Sequence, residues 1–314
     1  SSISSSLEAQ SDVLRKAEAY MGQEINRTGD SAFIDGASND GTGSGGLAEV
    51  LNDFFNAFHS LSANPASDAE KESLLQKSEM LVQKLKVTSE RFEELKADIS
   101  LEARTDLENA NRLIEEIARL NVEIARSEAG SGGQALTLRD NRQSRLEQLS
   151  ELVKIEVSNI PDSGGQIRVS IATSTGSIDI VDLGHSEQIA FDDSQPGLPS
   201  FSIDRTSDTV FVKGGSIHGL MAARDGGIEG FMNSLDQLAS ELVGQLNGLY
   251  NAGTTPGNTN FFTDTGDPAE KTARGISIET SLNALNLRTT NAAAQELGDN
   301  SLILAIAELD SSQI

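Results

Sequence analysis

The sequence predicts a mostly α-helical chain with an inserted β domain. It is a long-helix bundle or coiled-coil domain formed from both ends of the chain, plus a small antiparallel β domain. Three features point there. From about residue 70 to residue 128 the chain has neither Pro nor Gly, and a heptad seam runs through the later half of that stretch. Across residues 158–215 the apolar period drops to two. Helical spacing then returns between Phe231 and Leu249.

Composition narrows the function classes. A chain of 314 residues is long enough for about two domains and a sizeable core. Its 24 Lys and Arg against 48 Asp and Glu leave a net charge of −24. That surplus argues against nucleic acid or an anionic membrane as a partner, since phosphate binding needs clustered positive charge. Hydrophobic residues make up 37% and aromatics 4%, with no Trp, so the core is expected to be mainly aliphatic. The absence of Cys excludes disulfides, thiolate metal sites and Cys nucleophiles. No apolar run approaches the roughly 18 residues of a membrane span; near the end the longest is Leu302-Ile303-Leu304-Ala305-Ile306-Ala307. The chain opens Ser1-Ser2-Ile3 without Met or a signal-peptide pattern, which suggests a trimmed piece.

In order along the chain, Leu7, Val13, Leu14, Ala17, Met21 and Ile25 form a helical face over residues 7–27, already running near the first residue. Residues 35–46 are Gly, Asp, Asn, Ser and Thr with almost nothing to bury and read as a flexible loop. A helix follows with Leu47, Val50, Leu51, Phe54, Phe55 and Phe58 inward, and Asn64-Pro65 stops it. Ser67, with Glu70 three residues on, can cap the next helix, a rod on the order of 90 Å at 1.5 Å per residue. Its seam is Leu107, Ala110, Ile114, Ile117, Asn121 and Ile124; an Asn there is expected to set register. Gly130-Ser131-Gly132-Gly133 turns the chain, and Ala135 to Val153 returns as an antiparallel helix.

Ile167, Val169 and Ile171 then alternate with polar residues, followed by Ile178-Asp179-Ile180, Phe201-Ser202-Ile203 and Val210-Phe211-Val212 as strands. Phe231, Leu235, Leu238, Leu242, Leu246 and Leu249 rebuild a helix, and a polar stretch from Asn251 to Gly275 is interrupted by Phe261-Phe262. A short apolar piece at Ile276–Leu287 and a helix near Asn300–Leu309 close the chain. The expected division is 1–157 as the first part of the helical domain, 158–223 as the inserted β domain, and 224–314 as the return helix and remainder. A polar loop or short β segment is expected near 251–287.

Several patterns imitate chemical sites. Gly41-Thr42-Gly43-Ser44-Gly45-Gly46 matches G-x-G-x-x-G before a helix, but no buried strand precedes it and no βαβ unit follows, so a linker is expected. Asp35, Asn39 and Asp40 fit no frame of a calcium loop. His59, His185 and His218 fall in a helix tail, a β loop and a post-strand turn, without zinc spacing or a nucleophile elbow. Glu93-Glu94, Glu115-Glu116 and Asp192-Asp193 lie on the rod or in a loop, where carboxylates solvate rather than catalyse. No catalytic, cofactor-binding or metal residue is expected, no cofactor, and no enzyme activity. What remains is an architecture suited to structure or interaction.

Four stretches carry a resemblance to a known family. Gly46-Leu47 through Phe54-Phe55-Asn56-Ala57-Phe58 to Leu61-Ser62-Ala63-Asn64-Pro65, then Leu74-Leu75, is the first. Leu138-Arg139-Asp140-Asn141-Arg142 to Leu146-Glu147-Gln148-Leu149-Ser150 is the second. Gly214-Gly215-Ser216-Ile217-His218-Gly219-Leu220 with Arg224-Asp225, leading to Leu246-Asn247-Gly248-Leu249-Tyr250-Asn251-Ala252-Gly253 and Phe261-Phe262, is the third; Gly298-Asp299-Asn300 is the fourth. In their order these resemble the hook-associated protein 1 family of bacterial flagella, the hook–filament junction proteins.

The resemblance implies a structural role in the extracellular flagellum, in motility and in flagellum assembly, with export by the flagellar type III route and no cleaved signal peptide. The partners implied are identical copies in a helical layer, the hook protein, the second hook–filament junction protein and an export chaperone acting through a missing C-terminal part. The family's N-terminal segment is absent and the closing helix stops early, so the chain resembles the central fragment without the terminal polymerisation helices, and a soluble monomer is expected. Arg139-Asp140-Asn141-Arg142 either bridges subunits or links helices within one chain. The competing reading is a secreted coiled-coil adhesin or surface interaction protein.

Overall fold

The computed structural model describes residues 2–20, 46–131, 135–173, 176–192, 200–203, 209–210, 212–252, 260–265, 271–290 and 299–309. Of the loop read at 35–46, only Gly46 is among them. The chain is mostly helical with an inserted β region. Helix α1 spans Ser2–Tyr20 and α2 spans Leu47–Ala63. The apolar stripe of α2 is buried from Val50 to Leu61, and the helix ends at Asn64-Pro65 as the sequence implies. Helix α3 runs Asp68–Ser131, 64 residues, with the Glu70 amide donating to Ser67 Oγ at 3.3 Å. Every seam residue from Leu107 to Ile124 is buried. Helix α4 is Leu136–Leu152.

The strands are β1 (Glu156–Asn159), β2 (Ile167–Ala172), β3 (Ser177–Asp182), β4 (His185–Ser186), β5 (Ile189–Asp192), β6 (Ser200–Ile203) and β7 (Thr209–Val210). Helix α5 (Gly215–Ala222) passes through a π-helical segment at Ala223–Ile228 into α6 (Glu229–Tyr250). Strand β8 (Phe262–Thr263), α7 (Thr272–Gly275), β9 (Ser277–Ile278) and α8 (Ser301–Ala307) complete the chain.

Two compact units emerge. The first comprises Ser1–Lys16 and Leu95–Glu229. In it, ion pairs and hydrogen bonds join 128 to 139, 121 to 142 and 116 to 145. Position rises on one helix as it falls on the other, so α3 and α4 form the expected antiparallel hairpin. One antiparallel sheet has the order β1-β2-β3-β4 and the other β5-β6-β7. Strand β2 buries Ile167, Val169 and Ile171 in alternation, while all four residues of edge strand β1 are exposed. A register shift at Val169/Ser170 interrupts the β2–β3 ladder.

The turn expected around His218 is instead helix α5. Its interior glycine, Gly219, is required by close approach to α1: a Cβ there would stand 2.1 Å from the Ser6 carbonyl oxygen. In the π segment, the Gly226-Gly227 pair weakens α-helical preference. Its Arg224 is buried, donating from Nη1 to Ser100 Oγ at 2.7 Å and from Nε to Asp225 at 2.7 Å.

The second unit comprises Ala17–Glu94 and Gly230–Ile314. Helix α2 packs against α8, and Asn300 Nδ2 donates to the Ser62 carbonyl at 2.7 Å. Helix α6 buries Met232, Leu235, Ala239, Leu242, Leu246 and Tyr250. Leu238 and Leu249, read as part of that stripe, are only half-buried. Of the chain's eleven Phe and two Tyr, six gather here: Phe54, Phe55, Phe58, Tyr250, Phe261 and Phe262, with neighbouring ring centroids 4.9 to 5.9 Å apart. Their separations and tilted or edge-on angles are those that favour aromatic pairs.

Candidate functional site

The chemistry-bearing residues singled out from the sequence stay apart. His59 is exposed on α2, His185 is exposed in β4, and His218 Nδ1 lies 2.9 Å from Ser6 Oγ. Of the Gly-rich run only Gly46 is described; it stands at the start of α2 and its carbonyl accepts from the Glu49 and Val50 amides. Asp35, Asn39, Asp40 and Asp193 lie outside the described residues. Glu93 and Glu94 are exposed on α3. Glu115 accepts from Gln188 Nε2 at 2.8 Å, and Glu116 pairs with Arg145 at 2.8 Å. Among the described residues, no group of three or more His, Asp or Glu could hold a metal ion. Among the described residues, no helix is long and apolar enough to cross a membrane.

The sites the structure does build are mechanical. Asn121, the fifth of the six α3 seam residues, is fully buried. Its Nδ2 donates to the Ile167 carbonyl at 2.8 Å and the Leu183 carbonyl at 2.7 Å. Its Oδ1 accepts from Arg142 Nη1 at 2.7 Å and the Ile167 amide at 3.3 Å. All hydrogen-bonding capacity of the amide is used, and its partners fix which atom is nitrogen. Asn121 therefore docks a sheet to the rod and, through Arg142, also bonds the rod to α4.

Arg142, also buried, donates a second bond to the Gly165 carbonyl at 2.9 Å. Burial lowers its pKa. One turn earlier Arg139 grips Glu128 with two bonds, 2.8 Å from Nε and 2.9 Å from Nη2, while Glu128 also accepts the Ala135 amide at 3.1 Å. The Arg139 bond, followed by that amide, holds the Glu128 carboxyl below its ordinary value; Glu128 in turn raises Arg139. Gly165 completes the node. Its φ is +77°, and a Cβ would fall 2.1 Å from Arg139 Nη2. Both arginines of the Arg139–Arg142 cluster thus bond within one chain, the second of the two roles the sequence offers, while Asp140 and Asn141 between them are exposed.

The same device recurs twice. Asn111 on α3 exchanges two 2.9 Å bonds with the backbone of Ile189 at the start of β5. Asn247 on α6 accepts from the amides of Phe261 and Phe262 at 2.9 and 3.0 Å and donates to the Phe262 carbonyl at 2.7 Å. A side-chain amide offers donor and acceptor as a neighbouring strand would, so each Asn supplies a strand edge from a helix. Sequence reading noticed Asn121 only as a polar break in a seam, and it had no signal for Asn111.

Chain comparisons fit this framework. Residues 33–262, well over half of the chain, match the model of the flagellar hook-associated protein FlgK helical domain. The chain is 28% identical over 303 residues to flagellar hook-associated protein 1 of Bacillus subtilis (strain 168), covering 86% of this chain and 56% of that protein. It is 25% identical over 227 residues to its namesake in Escherichia coli (strain K12), covering 68% and 40%. The solved structure of the flagellar hook junction protein FlgK from Burkholderia pseudomallei shares the fold, with a TM-score of 0.65 at 18% identity over 83% of this chain and 45% of that one. The chain spans about half the length of the curated relatives it matches.

Proposed function

The chain belongs to the family of the flagellar hook-associated protein FlgK helical domain, and from that premise we propose that it is a structural component of the bacterial flagellum. In this reading it forms the junction between hook and filament and is needed for filament assembly. The observation that carries it is the family match over residues 33–262. The buried polar side chains described above support a structural role, since they are spent on holding strands to helices.

The proposed partners are identical copies in a helical layer, the hook protein, the second hook–filament junction protein and an export chaperone. The proposed place is the extracellular flagellum, reached by the flagellar type III route, and the protein is proposed to have no enzymatic activity. We keep the division 1–157, 158–223 and 224–314 as a proposal for how the helical and inserted parts share this work. With a net charge of −24, subunit contacts would be salt-sensitive. Immunogold labelling of intact flagella tests the reading. A single labelled band at the boundary of hook and filament is expected; label spread over the cell surface would overturn it in favour of an adhesin.

A further inference from the structure

Among the described residues, one face of the first turns of α3 is only partly covered. Glu72, Leu75, Gln76, Glu79 and Met80 fall at i, i+3, i+4, i+7 and i+8, one stripe of a helix. With Ile278 of β9 and Leu282 they line an open groove of about 400 Å³, within the range of ligand-sized clefts. Met80 is 40% exposed on its edge. Three residues beyond Leu282, Leu285 is 86% exposed, the most exposed large apolar side chain among the described residues.

A single exposed Leu is ordinary. This one stands on a turn that is braced for its position. Its amide donates to Asn283 Oδ1 at 2.9 Å, the Asn283 amide donates to Asn286 Oδ1 at 2.8 Å, and Asn286 Nδ2 donates to the Ser281 carbonyl at 2.7 Å. A turn already fixed before binding loses little further freedom when it binds, so its apolar tip is a pre-organised anchor. The polarizable thioether of Met80, in the lining of the groove, adapts to irregular apolar partners.

We propose that this groove and the Leu285 turn together form a docking surface for an apolar, basic-flanked segment of a partner protein. The choice of occupant rests on charge. The charged residues lining the groove, Glu72 and Glu79, are both acidic and exposed, and neither forms an ion pair among the described residues. A second copy would bring its own −24 and the same two carboxylates against them. A segment with Leu at helical spacing and Lys or Arg at its flanks satisfies both the apolar floor and the acidic rim. The inference goes beyond the flagellar reading and does not depend on it.

The test is fluorescence anisotropy of the whole chain with a labelled amphipathic helical peptide of about 16 residues built from Leu, Ala and Lys. Binding that weakens with salt is expected. The pair Glu72→Lys with Glu79→Lys should weaken it about tenfold or more, and Leu285→Ala about fivefold, with melting temperatures unchanged. A control pair with the same charge change on another exposed part of α3, Glu102→Lys with Glu108→Lys, should weaken it less than about twofold. Equal losses for the two charge pairs, an unaffected Leu285→Ala, or no binding would each overturn the proposal. A wild-type dimer in light scattering that Leu285→Ala abolishes would overturn it in favour of self-docking.

Discussion

Strand β2 in the first unit and strand β8 in the second are each tied to a helix by an asparagine, yet the ties are set in different surroundings. Asn121 sits in a polar node: its amide and the Arg142 guanidinium carry the backbone of Ile167, Leu183 and Gly165. Asn247 instead bonds the backbone of two Phe residues whose rings lie in a cluster of six aromatics. The difference teaches which force is primary in each place. At β8 the apolar area of the rings supplies the stabilisation and the amide orients the segment. At β2 the amide is the hub of a buried network, and a buried network is costly to leave half-made.

The largest expected effect is on the aromatic side. Phe261 is fully buried and its ring touches those of Phe58, Tyr250 and Phe262. Phe261→Ala should cost about 3–5 kcal/mol in denaturant unfolding followed by circular dichroism. Next comes Asn121→Ala, expected to cost about 2–4 kcal/mol, because it strips partners from several buried groups, including a charged guanidinium. Asn247→Ala should cost less, about 1–2 kcal/mol, since the rings still hold the segment. Equal costs for the two asparagine variants would break the comparison. Hydrogen exchange sharpens it: Asn121→Ala should lose protection across 167–171 while 261–263 keeps its own.

The smallest effect is a pH dependence. Glu128 titrates below its ordinary value of 4.5 in the folded state. The stability it contributes is therefore full above the unfolded value and lost as pH falls through the folded one. Glu128→Gln should flatten that part of the acid unfolding curve relative to wild type; curves of the same slope below pH 4.5 would contradict the role given to Arg139.

How much of this the sequence revealed follows from the range of each interaction. The stripes of α2 and α3 and the alternation of β2 were legible because periodicity is local and burial follows it. Helix α5 was not, because Gly214, Gly215 and Gly219 read as turn punctuation, whereas the last of them serves contact with α1. The docking asparagines were hidden for a different reason. Asn111 meets its partner 78 residues away and Asn121 meets its partners 46 and 62 away, and no local pattern marks which polar residue on a helix will face a strand edge. The Arg139–Arg142 cluster was visible as charge, but only the geometry of Glu128, Asn121 and Gly165 turned it inward.

The most direct test of the structural role is deletion of the whole gene that carries this region, in its own bacterium. Intact hooks without filaments, loss of swimming, and recovery of both with a gene copy are the expected result. Normal filaments and normal swimming in the deletion strain would contradict a place at the hook–filament junction.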